Sequence, residues 1–158
     1  MKRVMMKSQQ GIGLLELMLS LAIIAVLLVI ATRYYETAKT GEQVNEAIGI
    51  VQAIRGASAQ WAAGKPSYSG LNMSALYNYG LLPRSVGGGN NDGVGTNPWG
   101  GNVSVTPINS NAQVQVTLTK VPTQACNNLI GKLSYETPIT PTCNGGNFVV
   151  TFGAQYSS

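Results

Sequence analysis

The stretch that decides the fold runs from Gly11 to Thr32 and reads GIGLLELMLSLAIIAVLLVIAT. Most of its residues are apolar, it contains no proline, and its one charged residue is Glu16. At ~1.5 Å of rise per residue, a helix over residues 12–32 is about 30 Å long, which matches the hydrocarbon core of a bilayer. A charged side chain in such a helix costs roughly 2.5 to 3.5 kcal/mol at its centre and less near an end. The stretch is therefore predicted to span a membrane, and Glu16 is predicted to have a function.

The helical pattern continues beyond this apolar stretch. No proline occurs between it and Pro66, and apolar or small residues recur at intervals of three and four, the spacing of an amphipathic helix. We therefore predict one continuous helix from Ile12 to Ala62, apolar all round in its first half and apolar on one stripe in its second half. The predicted stripe comprises Val44, Ala47, Ile48, Val51, Ile54, Ser58 and Trp61.

Two further segments follow the long helix. A short helix is predicted over 72–79, with Asn72 as its N-cap and Gly80 just past its C-terminal end. Gly87 to Gly101 reads GGGNNDGVGTNPWGG, a composition that favours turns. This glycine-rich segment is predicted to be a surface loop.

The C-terminal half of the chain carries the strand patterns. Alternating apolar residues begin at Val103 and recur in 113–119 and 147–152, which is typical of half-buried antiparallel strands. A short helix is predicted over 125–133, between the strand at 113–119 and the strand at 147–152. The predicted fold class is α+β, in which an antiparallel sheet of three or four strands packs on the apolar stripe of the long helix.

Charge and composition narrow the function. The net charge is +4, and three of the ten basic side chains, Lys2, Arg3 and Lys7, precede Gly11. The remaining chain is nearly neutral, so no specific nucleic-acid partner is expected, because such binding needs several cations together. With no histidine and six acidic residues, the chain offers no catalytic constellation, and we expect no enzyme activity and no cofactor.

The two cysteines, Cys126 and Cys143, predict a disulfide bond. The basic N-terminal residues favour the cytoplasm, which places the chain after Thr32 in an oxidising compartment. Two cysteines without histidine cannot complete a structural zinc site.

Three other features of the sequence invite comparison with ligand sites but do not predict one. The segment Asn90, Asn91 and Asp92 contains a single carboxylate, too few for a calcium loop, so no metal site is predicted. Trp61 and Trp99 are interpreted as packing aromatics.

Gly11, Ile12 and Glu16, in the run GIGLLELMLSLAII after a short basic leader, resemble the class III signal of type IV prepilins and type II secretion pseudopilins. The resemblance implies cleavage between Gly11 and Ile12 by a prepilin peptidase and N-methylation of the new terminus at Ile12. It also implies that Glu16 neutralises the terminal amine of a neighbouring subunit during assembly.

From Gly11 to about Leu133, the chain resembles type IVb major pilins encoded with conjugative thin pili, the PilS proteins, in the ordered segments IVQAIRGA, YSGLNMSALYNYGLLP, TNPWGGNVSVTP and VPTQACNNL. The resemblance implies a type IV pilin fold whose C-terminal region, bounded by Cys126 and Cys143, lies on the filament surface. The implied regions are a leader (1–11), a transmembrane and filament-core helix (12–32) and a globular domain (33–158).

The same resemblance implies partners and location. The partners are copies of the chain in a helical homopolymer, the prepilin peptidase, an inner-membrane assembly platform with its ATPase, and minor pilins. The precursor would lie in the inner membrane and the assembled pilus outside the cell, where it would serve cell contact such as conjugation.

Two alternatives remain open. One is a type II secretion pseudopilin. The other, from a different class, is a secreted binding protein whose signal peptide is cleaved after Ala31, because Val29, Ile30 and Ala31 form an acceptable cleavage site. The second alternative leaves Glu16 inside the apolar region and cuts a helix whose pattern continues.

Overall fold

The structure is a computed structural model that describes residues 13–83, 86 and 95–153. Its helices are α1 (Leu14–Ala62), α2 (Met73–Asn78) and α3 (Thr123–Leu133), and its strands are β1 (Gly95–Thr96), β2 (Asn102–Ile108), β3 (Gln113–Leu118), β4 (Thr142–Asn144) and β5 (Asn147–Phe152). Residues up to Lys39 and residues from Thr40 onward form two separate compact units.

Helix α1 is continuous over 49 residues and ends at Ala62, as predicted. The helix stops there because Gly64 adopts a positive φ of 77°, which glycine tolerates, and Pro66 cannot continue the hydrogen-bond ladder.

The buried face of α1 lies entirely in the second unit. Five members of the predicted stripe are buried, and Ile48 and Trp61 pack partly buried at its margin. Ile50 and Ala57 are also buried, so the apolar face is wider than the single stripe that spacing predicted. The buried residues are Val44, Ala47, Ile50, Val51, Ile54, Ala57 and Ser58.

Within the described residues, the sheet has five antiparallel strands in the order β1-β2-β3-β5-β4. The prediction of three or four strands was wrong, because β1 and β4 contain only two and three residues and are too short to show alternation. The register sets Val105 opposite Val116 and Val116 opposite Val150, which brings the predicted apolar positions onto one buried face.

This face, α2, α3 and the second half of α1 contribute to one hydrophobic core, which confirms the α+β class. The core members from the three longest strands are Val103, Val105, Val114, Val116, Leu118, Phe148, Val150 and Phe152, and those from the short helices are Met73, Leu76, Ala125, Cys126, Leu129 and Leu133.

The short helix α2 has the predicted caps. The Asn72 side-chain oxygen accepts a hydrogen bond from the Ala75 amide at 2.7 Å, and Gly80 follows the helix with a φ of +67°. Both features satisfy backbone groups that a helix end leaves without partners.

The prediction of a loop over the whole of Gly87 to Gly101 was wrong at its end. Residues 87–94 lie outside the described residues, and they include Asn90, Asn91 and Asp92, the segment considered above as a calcium loop. Residues 95–96 form β1. The segment then turns around Asn97, whose side chain is 3% exposed. Propensity favours a turn here but does not show that the turn is anchored in the interior.

Asn97 organises this turn through its side chain. Its Nδ2 donates to the Thr119 carbonyl at 2.6 Å, and its Oδ1 accepts from the amides of Trp99 and Gly101, each at 3.0 Å. A Cβ at Gly101 would overlap the Thr119 carbonyl oxygen, so only glycine fits there. The motif TNPWGG is therefore explained by one buried amide and one close backbone approach.

Replacing Asn97 by alanine is expected to lower the free energy of unfolding by about 2 to 4 kcal/mol, because it leaves one buried and two partly buried backbone groups without their partner. Chemical denaturation followed by circular dichroism measures this loss. Asn127→Ala, on the exposed side of α3, is the matched control and should stay within ~0.5 kcal/mol. Equal midpoints for the two variants would contradict the anchoring role of Asn97.

Candidate assembly site

The first candidate surface is the apolar half of α1. Every side chain from residue 13 to residue 39 is exposed. The large apolar side chains of residues 14–30 are 48% to 83% exposed, and Leu15 is the most exposed of them. Each apolar side chain left in water forgoes about 1.5 to 3 kcal/mol of burial. A segment with so many of them needs lipid or other protein chains around it.

The polar side chains of this segment are compatible with a low-dielectric environment. Ser20 Oγ donates to the Leu17 carbonyl at 2.8 Å, and Thr32 Oγ1 donates to the Val29 carbonyl at 3.0 Å. These hydroxyl groups therefore find partners within the helix itself, as burial in lipid requires. The segment is the one described helix long and apolar enough to cross a membrane.

Glu16 lies in the first turn of α1, where its backbone amide donates to the Gly13 carbonyl at 2.9 Å. A carboxylate in the first turn is favoured by the partial positive charge of the helix N-terminus. The predicted cleavage and methylation residues, Gly11 and Ile12, lie outside the described residues. The structure thus places the charge at the start of the exposed apolar segment.

Shallow apolar depressions mark the middle of the segment. One is lined by Ala22, Ile23, Val26 and Leu27, and the next by Ala25, Val26, Val29 and Ile30. Small residues between large ones let neighbouring helices approach closely. This surface therefore suits side-by-side packing of apolar helices.

The second candidate surface is the disulfide-closed segment from Cys126 to Cys143. The two residues are joined by a disulfide bond, with their Cα atoms 6.2 Å apart, so α3 is covalently linked to the edge strand β4. The enclosed residues include Tyr135, 94% exposed, and Ile139, 39% exposed. These two side chains are therefore accessible on the surface of the second unit.

This segment is also fixed to α1 by polar contacts. Lys132 Nζ donates to Asn45 Oδ1 at 2.8 Å, and Gln52 Nε2 donates to the Glu136 carboxylate, which lies 4.0 Å from an Arg55 nitrogen. Exposed ion pairs contribute about 0 to 1 kcal/mol each, so the buried residues of α3 supply most of the attachment. Sequence reasoning missed these contacts because their partners are 81 to 87 residues apart.

Removing the disulfide, by Cys126→Ala with Cys143→Ser, is expected to lower the free energy of unfolding by roughly 2 to 5 kcal/mol. Cys126 takes alanine because its side chain is 2% exposed and serine would bury a hydroxyl group. Denaturation of the detergent-solubilised chain measures the loss, and the reduced parent chain is the control. A variant as stable as the oxidised parent would remove the stabilising role.

The chain is similar to known protein families and to curated proteins. The family model "PilS N terminal" matches residues 42–156, and the model "Prokaryotic N-terminal methylation motif" matches residues 6–32. The chain is 31% identical over 122 residues to the "Major structural subunit of bundle-forming pilus" of Escherichia coli O127:H6 (strain E2348/69 / EPEC), and equally to that of Escherichia coli O111:H-. No solved structure is significantly similar to it.

The PilS family match, the methylation motif and the pilus-subunit relatives identify a type IV pilin of the IVb type, and the long N-terminal helix and the α+β core fit this class. The matched region covers 76% of this chain and 63% of each relative, so the chain spans less than two thirds of the curated relatives' length. The chain belongs to the PilS family, whose model matches most of it.

Proposed function

We propose that the chain is the structural subunit of a type IVb pilus, made as a membrane-held precursor and polymerised into an extracellular filament. The observation that supports this most strongly is the exposed apolar surface of residues 14–30 in a member of the PilS family. The relatives are described as major structural subunits of a pilus. A structural subunit needs neither catalytic residues nor a cofactor.

The precursor stage divides the chain into a leader (1–11), a membrane-spanning helix (12–32) and a globular domain (33–158). The leader's Lys2, Arg3 and Lys7 would hold it in the cytoplasm, because cytoplasmic flanks are enriched in Lys and Arg. The globular domain then lies on the far side of the inner membrane, where the disulfide can form.

Processing follows from the N-terminal motif. A prepilin peptidase would cleave between Gly11 and Ile12, and Ile12 would then be N-methylated. The match of the methylation-motif model to residues 6–32 supports both steps, because it spans the cleavage point and Glu16.

Assembly transfers the apolar helix from lipid into a bundle of identical helices. There, the Glu16 carboxylate would neutralise the Ile12 amine of a neighbour, since either charge alone costs several kcal/mol in a low-dielectric core. An inner-membrane platform, its ATPase and minor pilins would drive and start the polymer. The filament would serve cell contact, and the PilS resemblance suggests conjugation as its setting.

Intact mass spectrometry of the exported protein tests this proposal. Cleavage after Gly11 with one added methyl group is the expected result. Cleavage after Ala31 would support the secreted binding protein instead, and an uncleaved chain would contradict processing. Sheared surface filaments made mainly of this chain would distinguish a pilin from a pseudopilin.

A further inference from the structure

We propose that Arg33, Tyr34 and Tyr35 form an interfacial anchor that binds the phospholipid headgroups of the outward-facing leaflet and sets the depth of the membrane-held subunit. This inference rests on the proposed function, in which α1 spans the membrane before assembly. We call these three residues the tyrosine anchor.

The position of the anchor along α1 is the first support. The apolar stretch ends at Thr32, and the anchor follows within one helical turn. With residues 12–32 covering about 30 Å, the anchor reaches the headgroup layer as the apolar stretch fills the hydrocarbon core. Helix α1 is uninterrupted across this boundary, so its backbone groups stay paired there, and Thr37 Oγ1 also donates to the Arg33 carbonyl at 3.0 Å.

The exposure of the two rings is the second support. Tyr34 is 76% exposed and Tyr35 is 70% exposed, so the hydrophobic core does not use their apolar surface. Tyrosine is enriched at membrane interfaces, because its ring prefers the acyl boundary and its hydroxyl group prefers water. The Arg33 guanidinium adds a cation of the kind that pairs with lipid phosphates.

The directions of the side chains favour lipid over a second copy of the chain. Adjacent residues on an α-helix point about 100° apart, so Tyr34 and Tyr35 face different sides of α1. A single neighbouring helix packs against one side, whereas the headgroup layer surrounds the helix and accommodates both rings. Arg33, pointing in a third direction, fits the same annular environment.

Cysteine labelling of the full-length chain in membranes tests the anchor, in cells that lack the assembly machinery. Cys126 and Cys143 are joined in a disulfide, so a membrane-impermeant maleimide reports only an added cysteine. We expect Ala38→Cys to react and Ala31→Cys to be protected. Adding Tyr34→Ser with Tyr35→Ser should make Ala31→Cys reactive, a shift of the boundary by about one turn, ~4 residues.

Two further variants make the result specific. Tyr34→Trp with Tyr35→Trp should keep Ala31→Cys protected, because tryptophan has the same interfacial preference. Tyr135→Ser removes a tyrosine that is 94% exposed on the globular domain and should also leave the protection unchanged. Exposure of Ala31→Cys by either variant would overturn the proposal.

The remaining outcomes separate this inference from the proposed function. Unchanged protection in the serine pair would overturn the anchor. If the serine pair kept the protection of Ala31→Cys but formed no filaments in cells with the assembly machinery, the anchor would be overturned and the tyrosines would instead be contacts between subunits. Recovery of the parent chain in the soluble fraction would contradict the membrane-held precursor itself.

Discussion

Subunits carrying Glu16→Ala are expected to be cleaved and retained in the membrane but to form no filaments by themselves. Membrane insertion should be unchanged or slightly easier, since the substitution removes a charge from the apolar segment. In the filament, however, the Ile12 amine of a neighbour would be buried without its partner, a loss on the order of 3 to 5 kcal/mol per contact. Electron microscopy and the mass of the sheared filament fraction measure the outcome.

Two controls separate the charge of Glu16 from its shape and from a general loss of acidity. Glu16→Gln keeps the size of the side chain and should fail in the same way, because the neutral amide does not neutralise an amine. Glu46→Ala removes an exposed carboxylate from the part of α1 that lies in the second unit, and subunits with this substitution should still assemble. Abundant filaments built solely from Glu16→Ala subunits would contradict the pairing mechanism, although not the membership of the PilS family.

The variant Gly11→Val is expected to remain an uncut, membrane-held precursor that forms no filament. Valine carries a branched Cβ where glycine leaves the backbone open to the peptidase. Intact mass spectrometry should find the leader still attached, and the sheared fraction should be empty.

The matched control for Gly11→Val lies two residues away. Gly13→Ala should be processed normally, because it leaves Gly11 and Ile12 at the cleavage point unchanged, and a Cβ at Gly13 meets no atom within 4 Å that would disturb the start of α1. Normal maturation of Gly11→Val would indicate a different peptidase and would favour the secreted binding protein. Failure of both variants would show that the region is sensitive to any added side chain rather than to the scissile position.

Periodicity predicted the longer elements well and the short ones poorly. The end of α1 at Ala62 and strand β5, 147–152, are where the pattern placed them, because each has enough residues to show its period. Strands β1 and β4 have two and three residues, and they exist because longer neighbouring strands offer them backbone partners. Such pairing depends on tertiary contacts, which a local pattern does not contain.

In the candidate site, too, some residues can be identified from the sequence and others only from tertiary contacts. Glu16 and the cysteines are identifiable from the sequence, because a charge in an apolar run is costly and two cysteines in a chain without histidine favour a disulfide bond. The burial of Asn97 is not identifiable, because asparagine in a turn is ordinary and its partner Thr119 is distant in sequence. The contact of Lys132 with Asn45 cannot be predicted from the sequence either, since both residue types are common on surfaces.

The placement of the buried residues of α1 has a practical consequence for anyone who wants to handle this protein in water. All seven buried residues lie at Val44 or later in the chain, and the second compact unit begins at Thr40. A chain cut before Thr40 would lose no core side chain while shedding the surface that demands lipid. The two parts of α1 are therefore under different physical constraints. The buried residues between Val44 and Ser58 are constrained by packing in the interior of the second unit, whereas residues 13–39 carry no such packing constraint within the chain.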